Sequence, residues 1–227
     1  MEHVKKTFDV PVASHLTCVG ATVDDLRTYL DKARNRGVDY IVALRGDPPQ
    51  GQDSFVMHEG GLRYADELVA LIGQEFANFG VAVGGYPEVH QEAPSAEVDL
   101  DNLKRKADAG ADVVITQLFY DNANFLKFRD RYDSAGIRAP LVPGILPVTN
   151  LGQIQRISSL CGAQLPASFI ERLGESEEPE WQLWVGIEQA TAQVAELIAA
   201  GIPGLHFYVL NKSKAASAVL AHVELPR

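Results

Sequence analysis

The chain has 227 residues, 46% hydrophobic and 22% charged, enough for one domain with a substantial buried core. Its net charge of −10 argues against a general nucleic-acid binder, because neutralising phosphates needs a basic surface; a small anion would need only a local basic cluster. No apolar run approaches the ~20 residues that span a bilayer, and residues 1–10 carry charges without an apolar stretch, so no membrane partner or signal peptide is expected and the cytoplasm is the default location.

Short β-branched or apolar runs alternate with longer amphipathic ones. Residues 2–6 look like the tail of a helix feeding a first strand, 11–18. A helix over 22–36 follows, with Thr22 as N-cap, Asp25 in its first turn and Gly37 as its stop. Strand 39–44 precedes a helix over 62–79 stopped by Gly80. Strand 81–85 precedes a helix over 96–109, followed by Gly110. Strand 112–117 precedes a helix over 122–135 ending at Gly136. Strand 139–145 is interrupted by Pro143 and Gly144 and leads to a helix over 149–160. A short extra helix over 166–173, an acidic loop over 175–180 and the longest helix, 180–200, stopped by Gly201, bring the chain to a last strand, 205–210, and a last helix, 212–222.

The strands are short, apolar on both faces and each followed by a helix, the pattern of parallel βαβ units covered by helices. A doubly wound sheet and a (β/α)8 barrel both fit it. The first strand-to-helix turn has no G-x-G-x-x-G, which counts against a Rossmann dinucleotide site. Polar residues gather after each strand, which suits a barrel whose site is assembled from all the strand ends. The expected fold is α/β, a (β/α)8 TIM-type barrel with about six of its eight β/α units present, residues 1–227 forming a single partial barrel domain. The economical explanation of the shortfall is that two upstream units are absent.

Several strand ends carry chemistry. After the second strand comes Arg45-Gly46-Asp47-Pro48-Pro49, where Gly46 permits close backbone approach and the prolines fix Asp47; a plain turn carboxylate fits as well. After the third come Gly84-Gly85, which leave room for a flat ring, and then Tyr86-Pro87-Glu88-Val89-His90, with an aromatic face and a ring N–H; a packing glycine pair beside a surface Tyr and His fits equally. Asp99, Asn102, Arg105 and Lys106 share one helical face, suited to ribose hydroxyls and a pyrophosphate or simply to solvent. Gln117 follows the fourth strand and offers an amide for a pterin or nicotinamide edge. Pro143-Gly144-Ile145-Leu146-Pro147 with Gln153, and His206-Phe207-Tyr208 with Lys212, complete the set; Lys212 suits a ligand carboxylate.

Cys18 and Cys161 are too few for a disulfide framework and read as reduced thiols. The histidines (His3, His15, His58, His90, His206, His222) are scattered, so no metal site is expected. There is neither a nucleophile elbow nor a Walker loop.

Taken together, the motifs resemble the bacterial-type 5,10-methylenetetrahydrofolate reductases. The matching stretches are His15-Leu16-Thr17-Cys18, Ala43-Leu44-Arg45-Gly46-Asp47, Tyr86-Pro87-Glu88-Val89-His90, Leu103-Lys104-Arg105-Lys106, Ile115-Thr116-Gln117 with Phe119, Pro143-Gly144-Ile145-Leu146-Pro147, and His206-Phe207-Tyr208 with Leu210-Asn211. They stand in the family's order over nearly the whole chain. The resemblance implies FAD bound by His15, Arg45, Gly46, Asp47, Tyr64, Ala65, Tyr86, His90, Asp99, Asn102, Arg105 and Lys106. It implies a folate substrate held by Asp47, Gln117, Gln153, Tyr208 and Lys212, with Asp47 and Gln117 as the catalytic pair. NADH or NADPH would reduce the flavin, and the flavin would pass a hydride to the folate's methylene group, giving 5-methyltetrahydrofolate. A homo-oligomer is expected.

Two departures bear on this. Lys212 stands where the family often has Arg, so a bidentate grip on the folate's glutamyl carboxylate becomes a point charge. The family's Phe-Glu-Phe/Tyr-Phe-Pro-Pro motif, whose Glu is the general acid, and its Thr/Ser-Tyr-Gly motif match nothing in this sequence. A non-catalytic remnant keeping part of the flavin and folate pocket is therefore the alternative to a reductase. A third reading, a flavin-free folate-binding barrel such as a methyltransferase component, is disfavoured by the stripe from Asp99 to Lys106.

Overall fold

A computed structural model describes residues 1–48, 51 and 55–225. Among them are seven strands, β1 (Ala13–Thr17), β2 (Tyr40–Leu44), β3 (Gly80–Gly85), β4 (Val113–Thr116), β5 (Leu141–Val142), β6 (Gly144–Ile145) and β7 (His206–Phe207). The helices are α1 (Glu2–Phe8), α2 (Val23–Asn35), α3 (Ala65–Glu75), α4 (Ala96–Asp108), α5 (Asn122–Ser134), α6 (Leu151–Cys161), α7 (Ala167–Gly174), α8 (Pro179–Ala199) and α9 (Lys214–His222). β5 and β6 form one line broken at Pro143, which has no N–H to give a ladder. Strand and helix alternate as expected. No helix of the described residues is long and apolar enough to cross a membrane.

Strands β1 to β5 form one sheet in chain order, and β6 pairs with β7 in a second. β1–β2, β2–β3 and β6–β7 are parallel, with Ala13 opposite Tyr40, Tyr40 opposite Gly80, and Gly144 opposite His206. β1 and β7 each end their sheet.

The chain divides into two compact units. The first comprises Met1–Gly84, Asp101–Val114 and Ile137–Pro140; the second comprises Gly85–Leu100, Ile115–Gly136 and Leu141–Arg227. In the first, α2 buries Leu26 and Leu30, α3 buries Leu68 and Ile72, and β2 buries Ile41, Val42 and Ala43. α2 starts as the sequence predicts: Thr22 accepts the Asp25 N–H at 3.1 Å and the Asp25 carboxylate accepts the Thr22 N–H at 3.0 Å, a capping box. α1 is pinned to the sheet by Lys5, whose ammonium lies 2.6 Å from the Asp39 carboxylate, which also accepts the Val12 N–H.

Burial on both faces holds for β2 but not for β1, where Ser14 and Leu16 are buried while Ala13 and His15 are exposed. Among the described residues β1 has a neighbouring strand on one edge only, and its buried and exposed positions alternate as in a half-covered strand. α3 is shorter at both ends than the expected 62–79. It starts at Ala65, where the Glu67 carboxylate turns back onto the N–H groups of Arg63 and Tyr64, and it ends at Glu75. Gly80 is not its stop. It opens β3, and a side chain there would collide with the Tyr40 ring on the next strand.

The second unit packs Leu118, Tyr120, Val148, Ile154, Phe169, Leu173 and Val185 into one cluster. Gly186 lets α8 close onto the Val148 carbonyl, where any side chain would collide. Buried amides join α5 to α8: Asn122 donates to the Gln193 carbonyl at 3.0 Å, and Gln193 donates to the Phe119 carbonyl at 2.9 Å.

Candidate functional site

The first unit holds two groups of the expected site residues. One lies around the loop after β2. Gly46 has φ +88, and a Cβ there would stand 2.5 Å from Val19 Cγ1, so glycine is required by both conformation and space. The close neighbour in this structure is thus the chain's own Val19. Arg45 donates to the Gly46 carbonyl at 3.3 Å and lies 5.0 Å from the centre of the Phe55 ring, a cation–π distance. Asp47 is exposed just beyond. Pro49, expected to fix it, lies outside the described residues.

His15 projects from the exposed face of β1. Tyr64 precedes α3 with its ring exposed, and Ala65 is the helix's first residue. The Tyr64 carbonyl and the Leu44 carbonyl both accept from the Cys18 thiol, at 3.6 and 3.4 Å. Burial, reinforced by Glu67 and Asp66, pushes that thiol up to about 12, so Cys18 is a structural donor and not a nucleophile.

The second group is on α4. The Arg105 guanidinium donates to the Asn102 side-chain carbonyl, and Lys106 donates to the Gly84 carbonyl at the end of β3 at 2.5 Å. Arg105 is exposed while Lys106 is half-buried, so the two cations differ in reach. Asp99, expected on the same stripe, is buried and belongs with the second unit. Its carboxylate accepts the His90 N–H at 3.0 Å, so that oxygen is committed to holding a loop.

In the second unit the segments that follow β6 and β7 converge on a pocket. Leu146, Val148, Ile154 and Ile157 line it with apolar surface, the Tyr208 ring forms part of the same wall, and Gln153 and Lys212 bring polar groups to it. Three of the residues expected to hold the folate are thereby brought together. Gln153 stands in the first turn of α6, where the Asn150 side chain accepts its N–H at 2.9 Å. Lys212 follows two consecutive left-handed residues, Leu210 at φ +45 and Asn211 at φ +61, and its N–H closes the turn on the Val209 carbonyl at 2.6 Å. Left-handed Leu is strained, a feature that concentrates at ligand-binding loops.

Tyr208 is placed differently from expectation. Its hydroxyl donates to the Thr116 carbonyl at 2.8 Å, so the ring lines the pocket while the polar end holds β4. Burial pushes the phenol up to about 12 and keeps it a donor. Gly144 donates its N–H to the Thr116 hydroxyl at 2.9 Å, and a side chain at Gly144 would collide with the Thr116 carbonyl and the Tyr208 ring. Gln117 follows at once. Its side-chain oxygen accepts the Leu118 N–H at 2.9 Å, which makes the amide NH2 its donor end. Tyr86 and His90 meet edge to face, 4.6 Å between ring centres.

Sequence reasoning gave no role to Glu88 or Thr116. Glu88 accepts from Asn124 Nδ2 at 2.6 Å and from the Gln164 N–H at 2.9 Å. No local signal could have found those partners, which are distant in the chain.

The profile of the methylenetetrahydrofolate reductase family matches residues 1–224. The chain belongs to that family. It is 42% identical over 217 residues to 5,10-methylenetetrahydrofolate reductase of Escherichia coli (strain K12), covering 95% of this chain and 71% of that one. It is 38% identical over 229 residues to methylenetetrahydrofolate reductase (NADH) 1 of Zea mays, covering 95% of this chain and 38% of that one. Among solved structures, an uncharacterized Clostridium thermocellum protein described as binding two copies of 5-methyl-5,6,7,8-tetrahydrofolic acid superposes with a TM-score of 0.59 at 15% identity, covering 97% of this chain and 75% of that one. At that identity the likeness speaks for the fold, which is α/β of the TIM-barrel type. Membership of the methylenetetrahydrofolate reductase family makes the chain an enzyme of that type, an oxidoreductase of folate one-carbon chemistry, and the non-catalytic remnant is not favoured.

Proposed function

We propose that this chain reduces 5,10-methylenetetrahydrofolate to 5-methyltetrahydrofolate, with NADH or NADPH as reductant and FAD as cofactor, the two substrates using one site in turn. The observation that carries the reading is the pocket lined by Gln153, Tyr208 and Lys212. A folate has an aromatic, apolar aminobenzoyl body between a polar pterin ring and an anionic glutamyl tail. Apolar walls at Val148, Ile154 and Ile157 suit the body, and the exposed Lys212 ammonium suits the tail.

The donor set fits FAD. Arg45, Arg105 and Lys106 are the cations a pyrophosphate needs, Asn102 suits a ribose hydroxyl, Asp99 acts through the His90 N–H that it accepts, and Tyr64, Tyr86 and His90 offer ring faces and donors. His15, Gly46, Asp47 and Ala65 complete the residues that would hold it. Gly46 keeps the backbone bare where a side chain would crowd Val19, and Asp47 after it is exposed. When bound, FAD supplies the hydride chemistry, while the protein supplies orientation and electrostatics.

Asp47 has two tasks. Its carboxylate disfavours further negative charge on a neighbouring ring, and it accepts from the amino and N–H groups of the pterin. Gln117 donates its NH2 to a pterin carbonyl in one half-reaction and to the nicotinamide carboxamide in the other, which is why one residue serves both substrates in turn. Lys212 grips the glutamyl carboxylate through a single point charge.

Product analysis tests this reading. The purified chain, given FAD, NADH or NADPH and methylenetetrahydrofolate, is expected to form 5-methyltetrahydrofolate and to stop doing so when FAD is withheld. Folate binding with no product under either reductant would contradict it.

A further inference from the structure

The turn after β3 is held from several sides. The Val89 N–H donates to the Tyr86 carbonyl at 3.2 Å, closing a turn with Pro87 at its second place. Val89 has φ +68, a left-handed conformation that is an outlier for a β-branched residue and survives only where its surroundings over-determine it. Two carboxylates flank it. Glu88 accepts from Asn124 of α5 at 2.6 Å through one oxygen and from the Gln164 N–H, between α6 and α7, at 2.9 Å through the other. Asp99 of α4 accepts the His90 N–H at 3.0 Å. Further on, the Glu92 N–H donates to His90 Nδ1 at 3.1 Å, and Gln91 donates to the Ser159 carbonyl of α6 at 3.3 Å. A ring nitrogen that accepts an N–H carries no proton, so the neutral imidazole of His90 has its hydrogen on Nε2.

We infer that Glu88 is a positioning residue: by bridging Asn124 and the Gln164 N–H it locks the left-handed turn at Val89 and so sets the Tyr86 ring and the His90 tautomer that meet the ligand. A carboxylate is suited to this because two oxygens accept two donors from different elements at once, which no side chain with a single acceptor does. The inference deepens the reading of Tyr86 and His90 as flavin contacts and rests on that reading for the identity of the ligand, not for the lock itself.

The test uses the full chain labelled with 15N-histidine, the His90 signals being those lost in His90→Gln. Without ligand, the wild type is expected to show His90 as a single Nε2–H tautomer. Glu88→Ala should move the two His90 nitrogens toward each other, the average of a tautomer mixture, with the other histidines unmoved. Glu88→Gln with Asn124→Asp exchanges acceptor and donor across the pair, keeps an oxygen for the Gln164 N–H, and should restore the wild-type signals. FAD titration should follow the same order, weakened about tenfold or more in Glu88→Ala and recovered in the exchange. His90 signals unchanged by Glu88→Ala would overturn the inference. So would a shift of every histidine together with a lowered unfolding temperature, since that is the mark of general destabilisation. Where Glu88→Ala does not fold, Glu88→Gln alone is read in its place, with the same two overturning results. If the wild type binds no FAD, the flavin reading falls, and the His90 tautomer still decides the role of Glu88.

Discussion

The Tyr208 hydroxyl donates to the Thr116 carbonyl at 2.8 Å, joining the end of the last strand to the end of β4 one residue before Gln117. One contact thus shapes the pocket wall and anchors the residue expected to read both substrates. Tyr208→Phe keeps the ring and leaves a buried carbonyl without its donor, a loss of about 1–3 kcal/mol. Urea denaturation should show the midpoint falling, with folate KM raised more than the rate of flavin reduction by NADH or NADPH. Gly144→Ala should be worse, because its methyl group meets the same carbonyl and the same ring.

Lys212 is exposed at the pocket mouth on a left-handed turn. Lys212→Ala should raise the folate KM about tenfold or more, the loss expected of one charge-assisted contact worth about 1.5–3 kcal/mol, while leaving flavin reduction unchanged. Lys212→Arg should recover the KM, since a guanidinium grips a carboxylate through two donors. Steady-state and half-reaction kinetics separate these outcomes. An unchanged KM in Lys212→Ala would remove this residue from the substrate site.

Asp47 is the exposed carboxylate beyond Gly46. Asp47→Asn should slow the folate half-reaction by about tenfold or more through lost acceptor capacity and charge, without affecting folding. Stopped-flow measurement of each half-reaction checks this; unchanged rates in both would withdraw the role.

The Cys18 thiol, buried among carbonyl acceptors, is pushed from its ordinary 9.0 up to about 12. Its folded-state value lies above its unfolded value. The stability it contributes is therefore present below about pH 9.0 and is lost as pH rises toward 12, because only the unfolded chain releases the proton in that window. Tyr208 acts in the same direction, from 10.0 up to about 12. Urea midpoints should fall progressively above pH 9, and thiol reagents should label Cys18 only as the chain unfolds. Prompt labelling of the native chain would contradict the assignment.

β1 ends its sheet with one face exposed, and Phe8 and Val10 just before it are 66% and 42% exposed. Exposed strand edges beside apolar side chains favour pairing between chains. Light scattering should detect self-association that rises with concentration and falls in Phe8→Lys. A monomer that unfolds cooperatively at all concentrations would contradict this, along with the expected homo-oligomer.

The sequence is legible where the physics is local. Thr22 and Asp25 form the capping box that their spacing announces, Gly37, Gly136 and Gly201 take left-handed conformations at helix ends, and Pro143 breaks its strand where its missing N–H requires. Gly80 follows an apolar run and so looks like a helix stop, whereas its reason is the Tyr40 ring on the neighbouring strand. The exposed face of β1 is not legible in the sequence, since composition does not say which strand has a face uncovered. In the site, the motifs named the loops, yet not how each side chain is spent. Asp99 and Tyr208 look like ligand groups in sequence and are occupied with the His90 N–H and the Thr116 carbonyl. Glu88 sits inside a motif and shows no purpose until Asn124 and Gln164 are brought to it by folding.

The central claim is most directly tested by anaerobic visible spectroscopy of the purified chain reconstituted with FAD. The flavin absorbance should bleach on addition of NADH or NADPH and return on addition of 5,10-methylenetetrahydrofolate, with 5-methyltetrahydrofolate recovered from the mixture. A chain that takes up no FAD, or one whose bleached spectrum stays bleached in the presence of the folate, would contradict the account.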